Sequence, residues 1–189
     1  SNPFRLVEKM TERFLSDGGE FIHESVQYIN PGEQENITLK LENREIQSER
    51  VLVAAGAWSH QLASQLGVKI PLETERGYHV TLNSKEGGPQ NIVMEAAHKF
   101  MATPMEMGVR FAGTAEFAGL KTPANQTRAE ILLKLGKKMY PQLKNGESSD
   151  WMGHRPSLPD SRPVIDFGPG KKKIIFAFGH GHRGLIGAP

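Results

Sequence analysis

Residues able to do chemistry gather in two stretches late in the chain. In the later one, Gly179-x-Gly181-x-x-Gly184 follows an apolar run from Ile174 to Phe178. Glycines at this spacing let backbone approach a ligand, and a helix start there would offer unpaired N–H groups to negative charge. Only five residues follow Gly184, whereas a complete strand-helix-strand dinucleotide unit takes roughly 30. The motif is either a permissive turn or one piece of a cofactor site whose remainder lies elsewhere. In the earlier stretch, Asp150–Asp160, Arg155 stands beside Pro156 and Pro159. A planar guanidinium presents parallel donors that suit a carboxylate, and flanking prolines would hold it rigidly. The plainer reading pairs Arg155 with Asp150 or Asp160. His180 and His182, with His154 or His98, raise the thought of zinc. Three or four ligands at fixed geometry are needed, and no spaced set of Asp, Glu or His supplies them, so no metal site is expected.

The elements around these residues follow from periodicity. Asn2 and Pro3 form an N-cap and first helical position, Phe4, Val7, Met10 and Phe14 repeat at helical spacing, and Gly18-Gly19 ends the run. A helix is therefore expected over Pro3–Ser16. A strand is expected over Phe21–Ile29, turned by Asn30-Pro31-Gly32, then a hairpin of Ile37–Leu41 with Glu45–Ile46 across Asn43-Arg44. Val51–Ala55 reads as a strand buried on both faces, as in parallel sheets. Gly56 breaks it, and Trp58–Leu66 returns to helical spacing. Gly56, Ala57 and Trp58 are either small-residue packing at that turn or backbone contacts to a ligand.

The middle of the chain differs. Arg76–Leu82, Asn91–Glu95, Lys99–Thr103 and Val109–Glu116 predict an antiparallel sheet. Ala124–Tyr140 predicts one long helix with Ile131, Leu132, Leu135 and Met139 on a face and Pro141 beyond it. Asp150–Asp160 is too proline-rich for an element and reads as a rigid loop. Val164–Phe167 and Ile174–Phe178 are two short buried strands, and Lys171–Lys173 is a solvated turn before the second. Parallel-type material at both ends and an antiparallel sheet between them suggest one domain interrupted by another.

Composition narrows the classes. With 38% hydrophobic and 23% charged residues, the 189-residue chain reads as globular. A net charge of +2 is too small to argue for a nucleic-acid or membrane-surface partner. No apolar run approaches the ~20 residues that span a bilayer, and Arg5, Glu8 and Lys9 do not suit a secretory leader. The absence of cysteine excludes disulfides, thiolate metal sites and a cysteine nucleophile, and fits a cytoplasmic setting. Ser1-Asn2 reads as an appended pair, so the chain is expected to begin inside a longer protein.

Four segments in chain order carry a resemblance: Val51–Ser59, Arg76-Gly77-Tyr78, Gly113–Phe117, and Trp151–Asp160 followed by Phe178–His182. Together they resemble the FAD-dependent D-amino acid oxidase/dehydrogenase family, nearest to the bacterial D-amino acid dehydrogenases. The resemblance implies an α/β (α+β) fold. A partial FAD-binding Rossmann-like domain, 1–72 and 151–189, would surround an antiparallel-sheet substrate domain with a long helix, 73–150. The family's opening strand and Gly-x-Gly-x-x-Gly have no counterpart here. The chain is thus expected to be a C-terminal part of a flavoenzyme that does not retain FAD by itself.

By the same resemblance, Gly56, Ala57, Trp58, Gly179, His180, Gly181, His182 and Gly184 contact the cofactor. The glycines after the last strand would set N–H groups near the flavin pyrimidine, where charge builds on reduction. Arg155 would bind the substrate carboxylate, and Arg76, Tyr78 and Met101 would line the substrate side, with Met94, Met105 and Met107 nearby. No acid–base residue is assigned, because the cofactor carries the chemistry. Glu116 is given a buried hydrogen bond. The implied reaction oxidises the Cα–N bond of a D-amino acid to an imino acid and then a 2-oxo acid. An oxidase of glycine, sarcosine or another secondary amine is the alternative, as is a non-catalytic substrate-binding subunit completed by a partner chain. The electron acceptor is unassigned. A cytoplasmic location is expected, with the inner membrane face as a peripheral variant. Apolar surface on Val51–Ala55 and Ile174–Phe178 is expected to drive self-association.

Overall fold

A computed structural model describes residues 2–32, 36–169 and 172–187; Lys171, part of the expected lysine turn, lies outside them. In chain order the elements are α1 (Pro3–Ser16), β1 (Tyr28–Asn30), β2 (Ile37–Lys40), β3 (Glu45–Ser48), β4 (Val51–Val53), a 3-10 turn (Gly56–Trp58) and α2 (Ser59–Gln65). Then come β5 (Glu73–Leu82), β6 (Val93–Glu95), β7 (Phe100–Met105), β8 (Gly108–Phe117), α3 (Gln126–Met139), β9 (Ser148–Ser157), β10 (Val164–Phe167) and β11 (Ile174–Phe178). Two compact units result. The first comprises Ser1–Ile22, Gly77–Glu116 and Pro123–Gly153; the second comprises His23–Arg76, Phe117–Thr122 and His154–Pro189. Among the described residues, no helix is long and apolar enough to cross a membrane.

In the first unit, α1 starts where expected: Asn2 Oδ1 accepts the Arg5 N–H at 3.4 Å and Pro3 occupies the first turn. None of its residues is buried. The core of this unit lies between one face of a sheet and α3. Tyr78, Val80 and Leu82 from β5, Phe100 and Ala102 from β7, and Val109 and Phe111 from β8 pack with Leu132 of α3. Alternation on each strand delivers these side chains to one face. α3 buries Ala129, Leu132 and Gly136 but leaves Ile131 48% exposed, so the expected stripe is rotated away from Ile131.

The second unit holds two three-stranded sheets, β1-β2-β3 and β10-β11-β4. The first is an antiparallel meander whose hairpin closes through Leu41 N–H to Arg44 O at 2.9 Å. In the second, β11 runs parallel to β4 and antiparallel to β10. Ile29, Ile37, Val51, Val53, Ile174, Phe176 and Phe178 form the core.

Four expectations need correction. Phe21–Ile29 yields a strand only at Tyr28–Asn30, with the Gln27 N–H donating to Lys40 O at 2.8 Å just before it. Val51–Ala55 is a strand only to Val53 and is buried on one face, with Leu52 60% exposed. Val164–Phe167 is a strand but not a buried one; Ile165 and Phe167 are exposed at the outer position of their sheet. Asp150–Asp160 is not a loop: Ser148–Ser157 is the ten-residue strand β9, at the edge of the order β6-β7-β8-β5-β9. An edge strand tolerates Pro156 because one side of its backbone has no ladder to serve.

Candidate functional site

Recognising β9 as a strand changes what Arg155 can do. Arg155 and Ser157 stand two residues apart and therefore share a face, as do Glu73 and Glu75 of β5. Arg155 Nη1 donates to Glu75 Oε1 at 2.8 Å, and the Ser157 hydroxyl donates to Glu75 Oε2 at 3.3 Å. Both side chains of the ion pair are about a quarter to a third exposed. The partner of Arg155 is thus neither Asp150 nor Asp160. Sequence reasoning missed Glu75 because a loop at Arg155 has no alternation from which to find a facing strand.

Glu75 and Ser157 line a cleft of about 360 Å³ whose other walls include Glu73, Phe117, Leu158 and the turn Gly179–Arg183. All of these residues belong to the second unit. The turn is shaped by glycine. Gly179 has φ +85 and Gly181 φ +56, a region closed to most side chains. A methyl group on Gly179 would stand 2.7 Å from Leu158 Cδ1, whereas one on Gly181 would meet nothing nearer than Ser157 Oγ at 3.7 Å. The Gly181 N–H donates to Pro156 O at 2.8 Å, which ties the turn to β9. Residues 181–187 form turns rather than a helix, so any donors offered there are turn N–H groups. His180 and His182 also line the cleft.

On the opposite face of the same strands, Thr74 and Arg76 are buried. Thr74 Oγ1 lies 2.8 Å from His154 Nδ1, and the His154 ring meets Trp58 edge-on at 5.2 Å. Burial first, and the Arg76 charge second, hold the His154 pKa below its ordinary value, so the imidazole is neutral at pH 7. Trp58, 48% exposed, touches β9 through that ring. Ala57 lines a second cleft with His60, Glu73, Thr74 and residues 118–122. Gly56 has φ +54 with open space where a side chain would be.

Tyr78 and Met101 belong to the first unit. Tyr78 is 3% exposed, and its hydroxyl donates to Glu116 Oε2 and accepts the Asn125 N–H at 3.0 Å. Arg128 approaches Glu116 at 3.3 Å and lies over the Tyr78 ring at 5.8 Å. Glu116 therefore has the hydrogen bond expected of it, part-buried and not fully buried. Met101 is 42% exposed on the sheet face away from the core, with Met94 opposite it in register. Of the expected site residues, the structure brings Gly179, His180, Gly181 and His182 to one cleft and sets Arg155 one hydrogen bond from its wall. Gly184 follows in the same turn region without lining the cleft, and Gly56 and Trp58 line neither cleft. No group of three or more potential metal ligands occurs among the described residues.

What fits one part of a flavin cofactor here is the bare backbone that Gly179 and Gly181 bring to the cleft between the side chains of His180 and His182, with ordinary contact distance to Ser157 Oγ on the Cβ side of Gly181. Comparison with known proteins agrees in kind. A family model described as FAD dependent oxidoreductase (DAO) matches residues 1–189. A D-amino-acid oxidase of Bradyrhizobium diazoefficiens is 36% identical over 191 residues, covering 99% of this chain and 45% of that protein. A D-amino acid dehydrogenase of Vibrio vulnificus is 28% identical over 185 residues, 96% of this chain and 44% of that protein. The crystal structure of L-proline dehydrogenase from P. horikoshii superposes with a TM-score of 0.79 at 19% identity, over 100% of this chain and 53% of that one. The chain spans a little under half the length of the relatives it matches in sequence.

Proposed function

The chain belongs to the family of FAD-dependent oxidoreductases (DAO), and on that premise we propose that it is the substrate-binding part of an enzyme oxidising the Cα–N bond of D-amino acids. The observation that carries the reading is the arginine of β9 tied to a wall of the glycine-turn cleft through Glu75. The chemistry that FAD would supply when bound is an acceptor for the hydride lost from the substrate Cα, the imino acid then passing by hydrolysis to a 2-oxo acid and ammonia. What this chain's residues contribute is position. Arg155 supplies parallel N–H donors to the substrate carboxylate, and the anchored strand β9 holds that guanidinium still. Gly179, His180, Gly181 and His182, with Gly184, Gly56, Ala57 and Trp58, are assigned to the cofactor side and Met101, on the resemblance alone, to the substrate side; Arg76 and Tyr78, 0% and 3% exposed, present no side-chain surface to a substrate.

Retention of FAD is assigned to the full-length protein and not to this chain by itself. A cytoplasmic setting fits the absence of cysteine, and association with the inner membrane face would suit a membrane-borne electron acceptor. The test uses the full-length, FAD-loaded enzyme with D-alanine, D-proline and sarcosine. D-Alanine or D-proline should yield its oxidised product, and Arg155→Ala should raise KM by roughly ten- to a thousandfold with flavin content unchanged. An unchanged KM removes Arg155 from the site. Turnover of sarcosine alone moves the assignment to secondary amines.

A further inference from the structure

Glu75 stands where a ligand would be expected. It lines the glycine-turn cleft together with Ser157, whereas Arg155 is not among the lining residues. The guanidinium therefore meets the cleft only through the Glu75 carboxylate. One oxygen of that carboxylate accepts from Arg155 Nη1 at 2.8 Å, and the other accepts from the Ser157 hydroxyl at 3.3 Å. A carboxylate with one oxygen on a guanidinium and the other on a hydroxyl is held as an incoming acid would be held. The hold is light. The side chains of Arg155 and Glu75 are 34% and 24% exposed, and an ion pair that water reaches is worth only a few-fold in an equilibrium. A substrate carboxylate that offers both oxygens to the guanidinium fork can displace it. Glu73 and Arg183 line the same cleft with opposite charges, so the exchange turns on contact and not on a net field.

We infer that Glu75 is a built-in plug: it fills a carboxylate subsite formed by Arg155 and Ser157, and substrate binds by displacing it. Ser157 then becomes the second donor to the substrate carboxylate. The inference rests on the carboxylate-binding reading of Arg155. Only molecules with Glu75 turned away take substrate, so the apparent affinity is reduced by the fraction that is open.

The test measures calorimetric Kd for propionate, a carboxylate with no amine to oxidise, in the full-length, FAD-loaded enzyme. Arg155→Ala should weaken propionate at least about tenfold. Glu75→Gln, which keeps the shape and removes the charge that holds the plug, should tighten it about fivefold. Glu75→Asp keeps the charge but draws it back from Nη1 by one methylene, and should tighten propionate about threefold. Glu75→Ala empties the subsite, should tighten propionate at least as much as Glu75→Gln, and serves if that variant does not fold. Adding Ser157→Ala to Glu75→Ala should weaken propionate about threefold, the loss of one donor. An unchanged or weaker Kd in Glu75→Gln overturns the plug. Tightening in Glu75→Gln with none in Glu75→Asp also overturns it, because that pattern is charge repulsion without occupancy of the subsite. If Arg155→Ala leaves propionate binding unchanged, the carboxylate reading of Arg155 fails and the plug with it. A tenfold loss there with no gain in any Glu75 variant removes the plug alone.

Discussion

The hydroxyl of Tyr78 serves two partners at once, donating to Glu116 and accepting the N–H of Asn125, next to the start of α3. Tyr78→Phe keeps the buried ring and removes both bonds. It should cost about 1–3 kcal/mol, since a buried partner left unsatisfied is dearer than a bond is worth. Urea unfolding of this chain reads the loss; a change below about 0.5 kcal/mol would contradict the network. His79 gives a prediction with a sign. Its ring stacks on Trp151 at 4.9 Å, and burial first and Arg110 second lower its pKa from 6.5 to about 4. Between those values the unfolded chain binds a proton that the folded chain refuses. Stability is therefore complete above about pH 6.5 and falls as pH drops toward 4. His154 adds in the same direction. The urea midpoint should decline across this window in wild type and decline less in His79→Gln; equal declines would remove His79 as a cause.

At the level of elements, the turn after β11 depends on glycine in two unequal ways. Gly179→Ala meets both a positive φ and Leu158, while Gly181→Ala meets only the φ. The first should destabilise by about 2–3 kcal/mol and the second by about 1 kcal/mol. Thermal unfolding of the two variants checks the order, and equal losses would mean that Leu158 moves aside. The same elements show what could be read from sequence. α1 was legible to the residue because cap, proline and period agreed. β11 and its glycines were legible because an apolar run met a spaced motif. β9 was not, because Pro156 and Pro159 argue against a strand unless one knows that the strand lies on an edge. That single misreading hid Glu75 and Ser157, since cross-strand partners cannot be inferred for a segment without alternation. Apolar surface on Val51–Ala55 was expected, and Leu52 supplies it, but exposure of Ile165 and Phe167 was hidden: apolar runs look alike whether one face or both are covered.

For the molecule as a whole, that exposure has a consequence. Register places Leu52 and Phe167 opposite Ile175, and Ile165 opposite Ala177, so they share one face of the β10-β11-β4 sheet. Soluble monomers rarely leave such a face bare. This chain by itself should self-associate with concentration in sedimentation, and Leu52→Glu with Ile165→Glu should return it toward monomer; a wild-type monomer at every concentration would contradict this. The central claim is that these residues position an amino acid for oxidation, and its most direct test is anaerobic flavin reduction in the full-length enzyme. D-Alanine should bleach the bound flavin while L-alanine does not, and Arg155→Ala should require far more D-alanine to bleach the same flavin. Flavin that stays oxidised with every D-amino acid, or bleaches in Arg155→Ala at wild-type concentrations, would contradict the account.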